Sequence, residues 1–347
     1  MGSDVGNKMT LNEKMQEKST NVNLIRFFAA AGVLVSHAHV LSDGSQDWLC
    51  RLTGVTWGAL AVGFFFFVSG LYVSKSLVRC QKGSKYFAAR IKRLIPLLAV
   101  VILVTVFLLG PWMSTLGAGE YFRNVSTWKY LANIFLIPVH NLPGVFETGN
   151  ISSTVNGSLW TLPVEFLCYM ILFAAYKMKL LQKDKKAIWG FGIMLVSIVS
   201  YWLGNRLSSS MILSASQAVI LFFMGAFYYV IKDMMVLDVR MGVLAILGWT
   251  AFSCLGISFF GNILFLPVII TVFLIGTKQV FPRASELGNL SYAIYLTAFP
   301  VQQIVIAMNG GMMDPYWNMV LSIPFVIVIS YGLYGLENIF LNRKRKG

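Results

Sequence analysis

The chain consists largely of apolar runs that are long enough to cross a lipid bilayer as helices. A transmembrane helix needs about 20 mainly apolar residues, whereas a transmembrane strand needs about ten residues of alternating character. Runs of the first kind follow one another from residue 22 to residue 341. Only 12% of the residues are charged, against about 25% in soluble domains. The sequence therefore predicts an all-α polytopic membrane protein.

Ten runs qualify as candidate spans. Their approximate bounds are 22–41, 57–78, 94–112, 158–178, 187–205, 213–232, 241–258, 262–278, 287–308 and 317–341. We expect a cytoplasmic disordered tail over 1–20, one membrane unit over 21–342 and a basic cytoplasmic tail over 343–347. Between the third and fourth spans, residues 113–157 form a long outer loop, in which 128–139 is too short to span.

Positive charge sets the expected orientation. With ten spans and a cytoplasmic N-terminus, 24 of the 28 Lys and Arg residues fall on the cytoplasmic side, and four fall outside: Arg51, Arg123, Lys129 and Arg206. This bias is the positive-inside rule, and it places both termini in the cytoplasm. The net charge of +14 is thus spread over short loops beside membrane lipid, which argues against nucleic acid as a partner. The four cysteines show no metal-ligand spacing, so we expect no metal.

Three ionisable residues, Arg26, His37 and Glu165, lie within or at the edge of apolar runs. Each would cost roughly 2.5 kcal/mol or more in hydrocarbon, so such residues usually face an interior cavity and mark function. Arg26 and His37 are 11 residues apart, which places them on one helical face about 16 Å apart along the axis. A neutral imidazole suits general base catalysis, although an interhelical strut is the alternative. His39 lies on nearly the opposite face, where we expect a solvated or structural residue.

Arg90 and Arg93 lie three residues apart at the cytoplasmic end of the third span. Residues at this spacing share a helical face. The pair is either a topology signal beside anionic lipid heads or a phosphate clamp, since guanidinium groups match phosphate oxygens in pairs.

A polar segment opens the fourth span and includes Asn156, Ser158, Trp160 and Glu165. Pro163 removes a backbone donor within it, and irregular backbone at membrane depth needs a cavity or polar partners. Glu165 lies about 10 Å below Ser158 along a helix, a depth comparable to that of His37. A His37–Glu165 contact is therefore possible, and a carboxylate there would orient the imidazole. The alternative is a buried Glu paired with another cation.

Two further segments are candidates for packing or for cavity lining. Residues 63–70 carry small residues at both ends, which permits close helix packing, and Ser69 lies among them. Residues 287–303 are polar for a span and include Tyr292 and Pro300. Their polar side chains either line the same cavity as the residues above or form interhelical hydrogen bonds.

Together these motifs resemble the membrane acyltransferase 3 family of bacterial envelope O-acyltransferases. The family's Arg, ten residues, His pattern matches Arg26 and His37, and its Arg-x-x-Arg motif matches Arg90 and Arg93. Three longer motifs of the family also match. An aromatic span ending in Ser-Gly matches 64–70. The motif Ser-Leu-Trp-x-Leu-x-x-Glu matches 158–165, and Ser-Tyr-x-x-Tyr-Leu matches 291–296. One departure is that Thr297-Ala298 stands where many members carry His.

The resemblance implies an activity and a site. Acyl-CoA, most often acetyl-CoA, would bind from the cytoplasm as co-substrate near Arg26, Arg90 and Arg93, and a glycan hydroxyl would enter from outside. His37 would act as the base or take up the acyl group, with Glu165 in support. Weaker candidates for substrate or oxyanion contacts are Ser69, Asn156, Ser158, Trp160 and Tyr292. The implied location is the bacterial cytoplasmic (inner) membrane.

Two alternatives follow from the same residues. Polar residues and Pro breaks within spans also suit a transporter or flippase of a glycan or small polar solute, although the two halves show no repeat. A second alternative keeps the chemistry but changes the acyl group or the acceptor. The acceptor, the position acylated and the oligomeric state are not encoded in any recognisable motif.

Overall fold

The computed structural model describes residues 9–17, 21–277 and 287–343, and over these ranges the chain is helical with no strand. The predicted all-α class is therefore confirmed. The α-helices, numbered α1 to α15 in chain order, are Leu11–Gln16, Asn21–Ser42, Trp48–Thr53, Trp57–Cys80, Gly83–Val104, Gly110–Met113, Ala118–Arg123, Val125–Lys129, Thr161–Lys177, Lys186–Arg206, Ser210–Ile231, Val239–Cys254, Ser258–Ile270, Leu287–Met308 and Pro315–Arg343. Two π-helical turns, Thr105–Leu109 and Thr271–Ile275, extend α5 and α13.

Eight of the described helical segments are long and apolar enough to cross a membrane. The predicted spans 241–258 and 262–278 correspond instead to shorter helices, Val239–Cys254 and Ser258–Phe273. Sixteen residues of helix rise only about 24 Å, less than the roughly 30 Å of a hydrocarbon core. The count of ten spans therefore stays a prediction, as does the cytoplasmic placement of the termini. Residue 278, the last of the eighth predicted span, lies outside the described residues.

Short connections reverse the chain direction between neighbouring helices. Residues 81–82 join α4 to α5, 207–209 join α10 to α11, and 255–257 join α12 to α13. We call the end of the bundle at which α2 begins the first end, and the end at which α2 stops the second end. Arg26 then lies towards the first end and His37 towards the second.

Part of the N-terminal tail that we predicted to be disordered is folded. Thr10 and Glu13 form a capping box at the start of α1, and this pairing satisfies two backbone donors of the helix. Leu11 and Met15 are buried, and the Leu11 backbone N–H donates to Met235 O at 2.9 Å. Burial of these apolar side chains opposes the disorder that composition alone favours. Residues 1–8 and 18–20 of that tail, and 344–347 of the C-terminal one, lie outside the described residues.

The predicted outer loop, residues 113–157, is folded against α14. Its stretch 128–139 contains only the end of α8 and the 3₁₀ helix Tyr130–Phe135. Asn133 closes this stretch, since its side chain both donates to Val139 O at 2.8 Å and accepts from the Val139 N–H at 3.1 Å. Further along, Asn150 Nδ2 donates to Gln303 Oε1 at 2.8 Å. These bonds hold the loop over the second end of the bundle.

Helices α4 and α11 pack with their backbones in close contact. A Cβ added at Gly70 would overlap the carbonyl oxygen of Phe222, and one added at Gly225 would overlap that of Phe67. Phe67 and Phe222 themselves are fully buried. The predicted packing role of residues 63–70 is confirmed, because small residues permit this approach in a membrane protein.

We predict that Gly70→Ala lowers the free energy of unfolding by about 1–3 kcal/mol, as overpacking does where backbone cannot move aside. The measurement is the thermal midpoint of the protein in detergent. Gly190→Ala is the matched control, because a Cβ there meets nothing within 4 Å. Alanine also favours a helix over glycine, so its midpoint should stay or rise. Equal midpoints for the two variants would contradict the packing argument.

Candidate functional site

Helix α2 carries both of the ionisable residues predicted to share a face. Its 22 residues are continuous from Asn21 to Ser42, so the predicted helical geometry of Arg26 and His37 is confirmed. Phe28, on the opposite side of the helix, is 60% exposed. Arg26 and His37 each line a cavity inside the bundle.

The first cavity, which we call the arginine cavity, has a volume of about 220 Å³. Four of the predicted site residues line it: Arg26, Arg93, Glu165 and Tyr292. Arg93 is exposed and lies midway along α5, so the cavity is in contact with the surface at this residue. Its chemistry is cationic, since two guanidinium groups face one carboxyl group.

Arg26 enters this cavity without an ion pair. The residue is half-buried, and its buried Nε has no hydrogen-bond partner. In the described part of the chain no salt bridge joins Arg26 to Glu165, although both line the cavity. A buried cation without a partner destabilises a fold. Arg26 is therefore suited to hold an anion that enters the cavity.

Glu165 is oriented by two hydroxyl groups. Its Oε1 accepts a hydrogen bond from Ser69 Oγ at 2.9 Å and another from the Tyr169 hydroxyl. The His37–Glu165 contact that the sequence left possible does not form, because Glu165 bonds towards α4 and within α9. His37 lines the other cavity instead.

Arg90 does not line the arginine cavity. Its guanidinium group lies 5.8 Å from the ring centres of both Tyr86 and Tyr169, and its Nη2 donates to Ser76 Oγ at 3.3 Å. Such cation–π contacts are favourable when they are shielded from water. The structure thus separates the two arginines of the predicted clamp, with Arg93 at the cavity and Arg90 against the tyrosines that surround Glu165.

The second cavity, which we call the histidine cavity, has a volume of about 190 Å³. His37, Ser158 and Trp160 line it. The His37 ring packs edge-on against Phe299, with 5.0 Å between ring centres. Both His37 Nδ1 and Ser158 Oγ are buried without a hydrogen-bond partner. Each of these residues thus lines the cavity and carries a polar atom that has no partner in the fold.

Asn156 shapes this cavity without lining it. Its Oδ1 accepts from the Ser158 N–H at 3.1 Å, and its Nδ2 donates to Leu296 O at 2.8 Å. These bonds begin the 3₁₀ helix Gly157–Trp160 that precedes α9. Asn156 thus holds Ser158 and Trp160 in place against α14.

One wall separates the two cavities, and Val62 and Tyr295 line both sides of it. The Tyr295 hydroxyl lies 2.6 Å from Thr161 Oγ1 and donates to Ser158 O at 2.9 Å. Tyr295 was predicted only as one of the polar residues of 287–303, which would either line a cavity or form interhelical hydrogen bonds. The sequence signal for its place at the cavities was its position three residues after Tyr292, on the same helical face.

Two polar residues in the second half of α14, Thr297 and Gln302, are structural. Thr297 Oγ1 lies 3.2 Å from Ser330 Oγ on α15, and Gln302 Nε2 donates to Leu34 O of α2 at 2.9 Å. Both alternatives for residues 287–303 are thus correct, because the first part lines the arginine cavity and the second part bonds to neighbouring helices.

His39 is a structural residue rather than a solvated one. It is 2% exposed, its Nδ1 lies 3.0 Å from Val35 O, and its ring packs edge-on against Tyr316. Over the ranges that the structure describes, no three His, Cys, Asp or Glu side chains lie close enough together to hold a metal ion. The charged side chains of the arginine cavity are Arg26, Arg93 and Glu165.

Comparison with known proteins identifies related chains. Residues 19–335 match the sequence pattern of a family described as "Acyltransferase domain". The O-acetyl transferase of Shigella phage Sf6 is 32% identical over 337 residues, which cover 94% of this chain and 97% of the phage protein. Nodulation protein 10 of Rhizobium leguminosarum bv. viciae is 28% identical over 172 residues, covering 46% of this chain and 45% of that protein. No solved structure matches the chain significantly.

The cost of burying Arg26 can be measured directly. We predict that Arg26→Met leaves the thermal midpoint in detergent unchanged or raises it, because an apolar side chain of similar length removes an unpaired buried cation. Arg90→Met is the control and should lower the midpoint, because it removes the contacts with Tyr86 and Tyr169. A larger loss of stability for Arg26→Met than for Arg90→Met would show that Arg26 has a structural role.

Proposed function

This chain belongs to the acyltransferase 3 family of membrane proteins, and from that premise we propose that it moves an acetyl group from acetyl-CoA to a hydroxyl of an envelope or extracellular glycan. The observation that carries the proposal is the pair of cavities on opposite sides of the Val62–Tyr295 wall. One cavity is cationic and suits a phosphorylated donor, and the other presents His37 to an acceptor.

The donor is assigned to the arginine cavity. CoA carries phosphate groups, and guanidinium groups bind phosphate oxygens with matched geometry. Arg26 and Arg93 line the cavity together, and the exposed side chain of Arg93 marks its opening. The excess of Lys and Arg in the loops of the first end supports a cytoplasmic orientation, and hence entry of acyl-CoA from the cytoplasm.

Glu165 and Arg90 take positioning roles in this proposal. Glu165 is too strongly committed to Ser69 and Tyr169 to orient His37. Its carboxyl group faces Arg26 across the arginine cavity instead. Arg90 packs on the Tyr169 ring and so acts on Glu165 through Tyr169, from outside the cavity.

The transfer step is assigned to the histidine cavity. The His37 imidazole takes the proton of the acceptor hydroxyl, whose oxygen attacks the thioester carbonyl carbon. A new C–O bond forms and the C–S bond breaks. The proton held by His37 passes to the departing sulfur, so CoA leaves as the free thiol.

Ser158 is the best candidate for stabilising the oxyanion. Of the predicted donors, Ser69, Asn156 and Tyr292 already donate to other groups in the fold. The Ser158 hydroxyl has no partner and lines the cavity with His37. A donor that is free before the reaction can bind the charge that develops during it.

The proposed setting is the cytoplasmic membrane of a bacterium, with lipid around the bundle and the glycan on the outer side. Two cavities that meet at a wall would also suit a carrier. The discriminating observation is turnover of acetyl-CoA without any gradient, which an enzyme performs and a carrier does not.

We predict that His37→Ala lowers acetyl transfer by about 10²- to 10⁴-fold, the usual contribution of general base catalysis, while the protein stays folded. The measurement is thiol release from acetyl-CoA by purified protein in nanodiscs. His39→Gln is the control and should change the rate far less, because His39 bonds only to the backbone of its own helix. Turnover of His37→Ala at the wild-type rate would refute the assignment.

The two arginines should respond differently to removal. We predict that Arg93→Ala raises the KM for acetyl-CoA about tenfold or more, since a lost hydrogen bond to a charged group costs about 1.5–3 kcal/mol. Arg90→Ala should mainly lower kcat, because Arg90 acts through Tyr169. Steady-state kinetics on both variants measures KM and kcat separately. Equal increases in KM for the two variants would show that Arg90 binds phosphate together with Arg93. An unchanged KM in both variants would show that neither arginine binds the donor and that both act only as topology signals.

A further inference from the structure

The histidine cavity contains a polar surface that neither the sequence motifs nor the proposed reaction uses. Beyond His37, Ser158 and Trp160, it is lined by the side chains of Ser36, Thr56, Ser214 and Gln217. Its described lining holds no Asp, Glu, Lys or Arg. The arginine cavity, in contrast, contains three such groups. The two cavities therefore suit ligands of different charge.

Gln217 is held by a chain of hydrogen bonds that extends to α12 and α13. Its Nε2 donates to Phe259 O at 3.2 Å, and its Oε1 accepts from Asn262 Nδ2 at 3.4 Å. Asn262 is itself fixed, because its Oδ1 accepts from Trp249 Nε1 at 2.7 Å. A carboxamide has two N–H donors and two oxygen lone pairs. One donor and one acceptor of Gln217 thus remain for a ligand, in a fixed orientation.

Other lining groups add to this pattern. Ser214 lies three residues before Gln217 on α11, so the two side chains share a helical face. Thr56 Oγ1 accepts from the Ala59 N–H at 3.0 Å, which leaves its own hydroxyl proton free to donate. Trp160 supplies an aromatic ring at the same cavity. Small-molecule sites typically combine apolar and aromatic surface with polar groups that are held in fixed positions.

We propose that Gln217 and Ser214 bind hydroxyl groups of the acceptor, and that the histidine cavity takes one uncharged sugar ring with its C–H face against Trp160. This inference rests on the proposed function. The volume of about 190 Å³ lies below the range of about 300–1,000 Å³ for drug-sized ligands, so a single ring fits better than an oligosaccharide. An anionic sugar would bury its carboxylate without a cation, which is costly.

The test is the effect of simple sugars on thiol release from acetyl-CoA by the full chain in nanodiscs. The probes are the methyl glycosides of a neutral hexose, a neutral 6-deoxyhexose and a hexuronic acid. We expect at least one neutral glycoside to change the rate in a saturable way, and the hexuronate to have no effect. An effect of the hexuronate alone, or no effect of either neutral glycoside up to its solubility limit, would overturn the proposal.

Variants then locate the binding site. Gln217→Leu should raise the half-maximal concentration of the active glycoside about tenfold, as expected for the loss of one or two hydrogen bonds, and should raise it more than the KM for acetyl-CoA. Ser216→Ala is the control on the same helix, because Ser216 Oγ donates to Leu213 O and lines neither cavity. An unchanged half-maximal concentration in Gln217→Leu would reject the role of Gln217. Failure of the proposed function would differ, because acetyl-CoA would then release no thiol even in the wild type.

Discussion

In a membrane interior, every backbone N–H and C=O group without a hydrogen-bond partner raises the free energy of the fold. In this chain the segment before α9 is irregular and therefore depends on such partners. The helix does not begin directly there, because the 3₁₀ turn Gly157–Trp160 comes first. Asn156 bonds this turn to α14, and Tyr295 bonds back to its carbonyl group at Ser158. The irregular turn is thereby satisfied by protein rather than by water. The position of Ser158, the wall between the cavities and the shape of the histidine cavity all depend on these bonds.

The two cavities also solve an electrostatic problem. In the proposed reaction, the phosphorylated donor needs cations. The uncharged acceptor and the neutral base are best kept away from cations, since nearby charges change the protonation of an imidazole. Helix α2 provides the separation, because Arg26 and His37 are about 16 Å apart along its axis. A single rigid element therefore fixes both the face and the distance, which two separate helices could not do as reliably.

The sequence predicts well what depends on local periodicity and apolar length. The helical class, the shared face of Arg26 and His37 and the close packing around Gly70 follow from spacing within one element. What it did not predict depends on tertiary contacts. Glu165 bonds to hydroxyl groups rather than to His37, because the rotation of α9 against α4 decides which side chains meet. For the same reason Arg90 faces tyrosine rings although it lies only three residues from Arg93. Gln217 was missed because its polarity is unremarkable until α13 is packed beside it.

The wall formed by Val62 and Tyr295 has a consequence for the membrane itself. Two polar cavities on opposite sides of one wall would, if joined, extend a polar path through the bundle. Such a passage would let protons and small ions leak and would dissipate the potential on which a cell depends. The tyrosine hydroxyl is locked to Thr161 and Ser158, which keeps this barrier closed at rest. The same residue therefore insulates the membrane at the wall where, in the proposed reaction, the two substrates would meet.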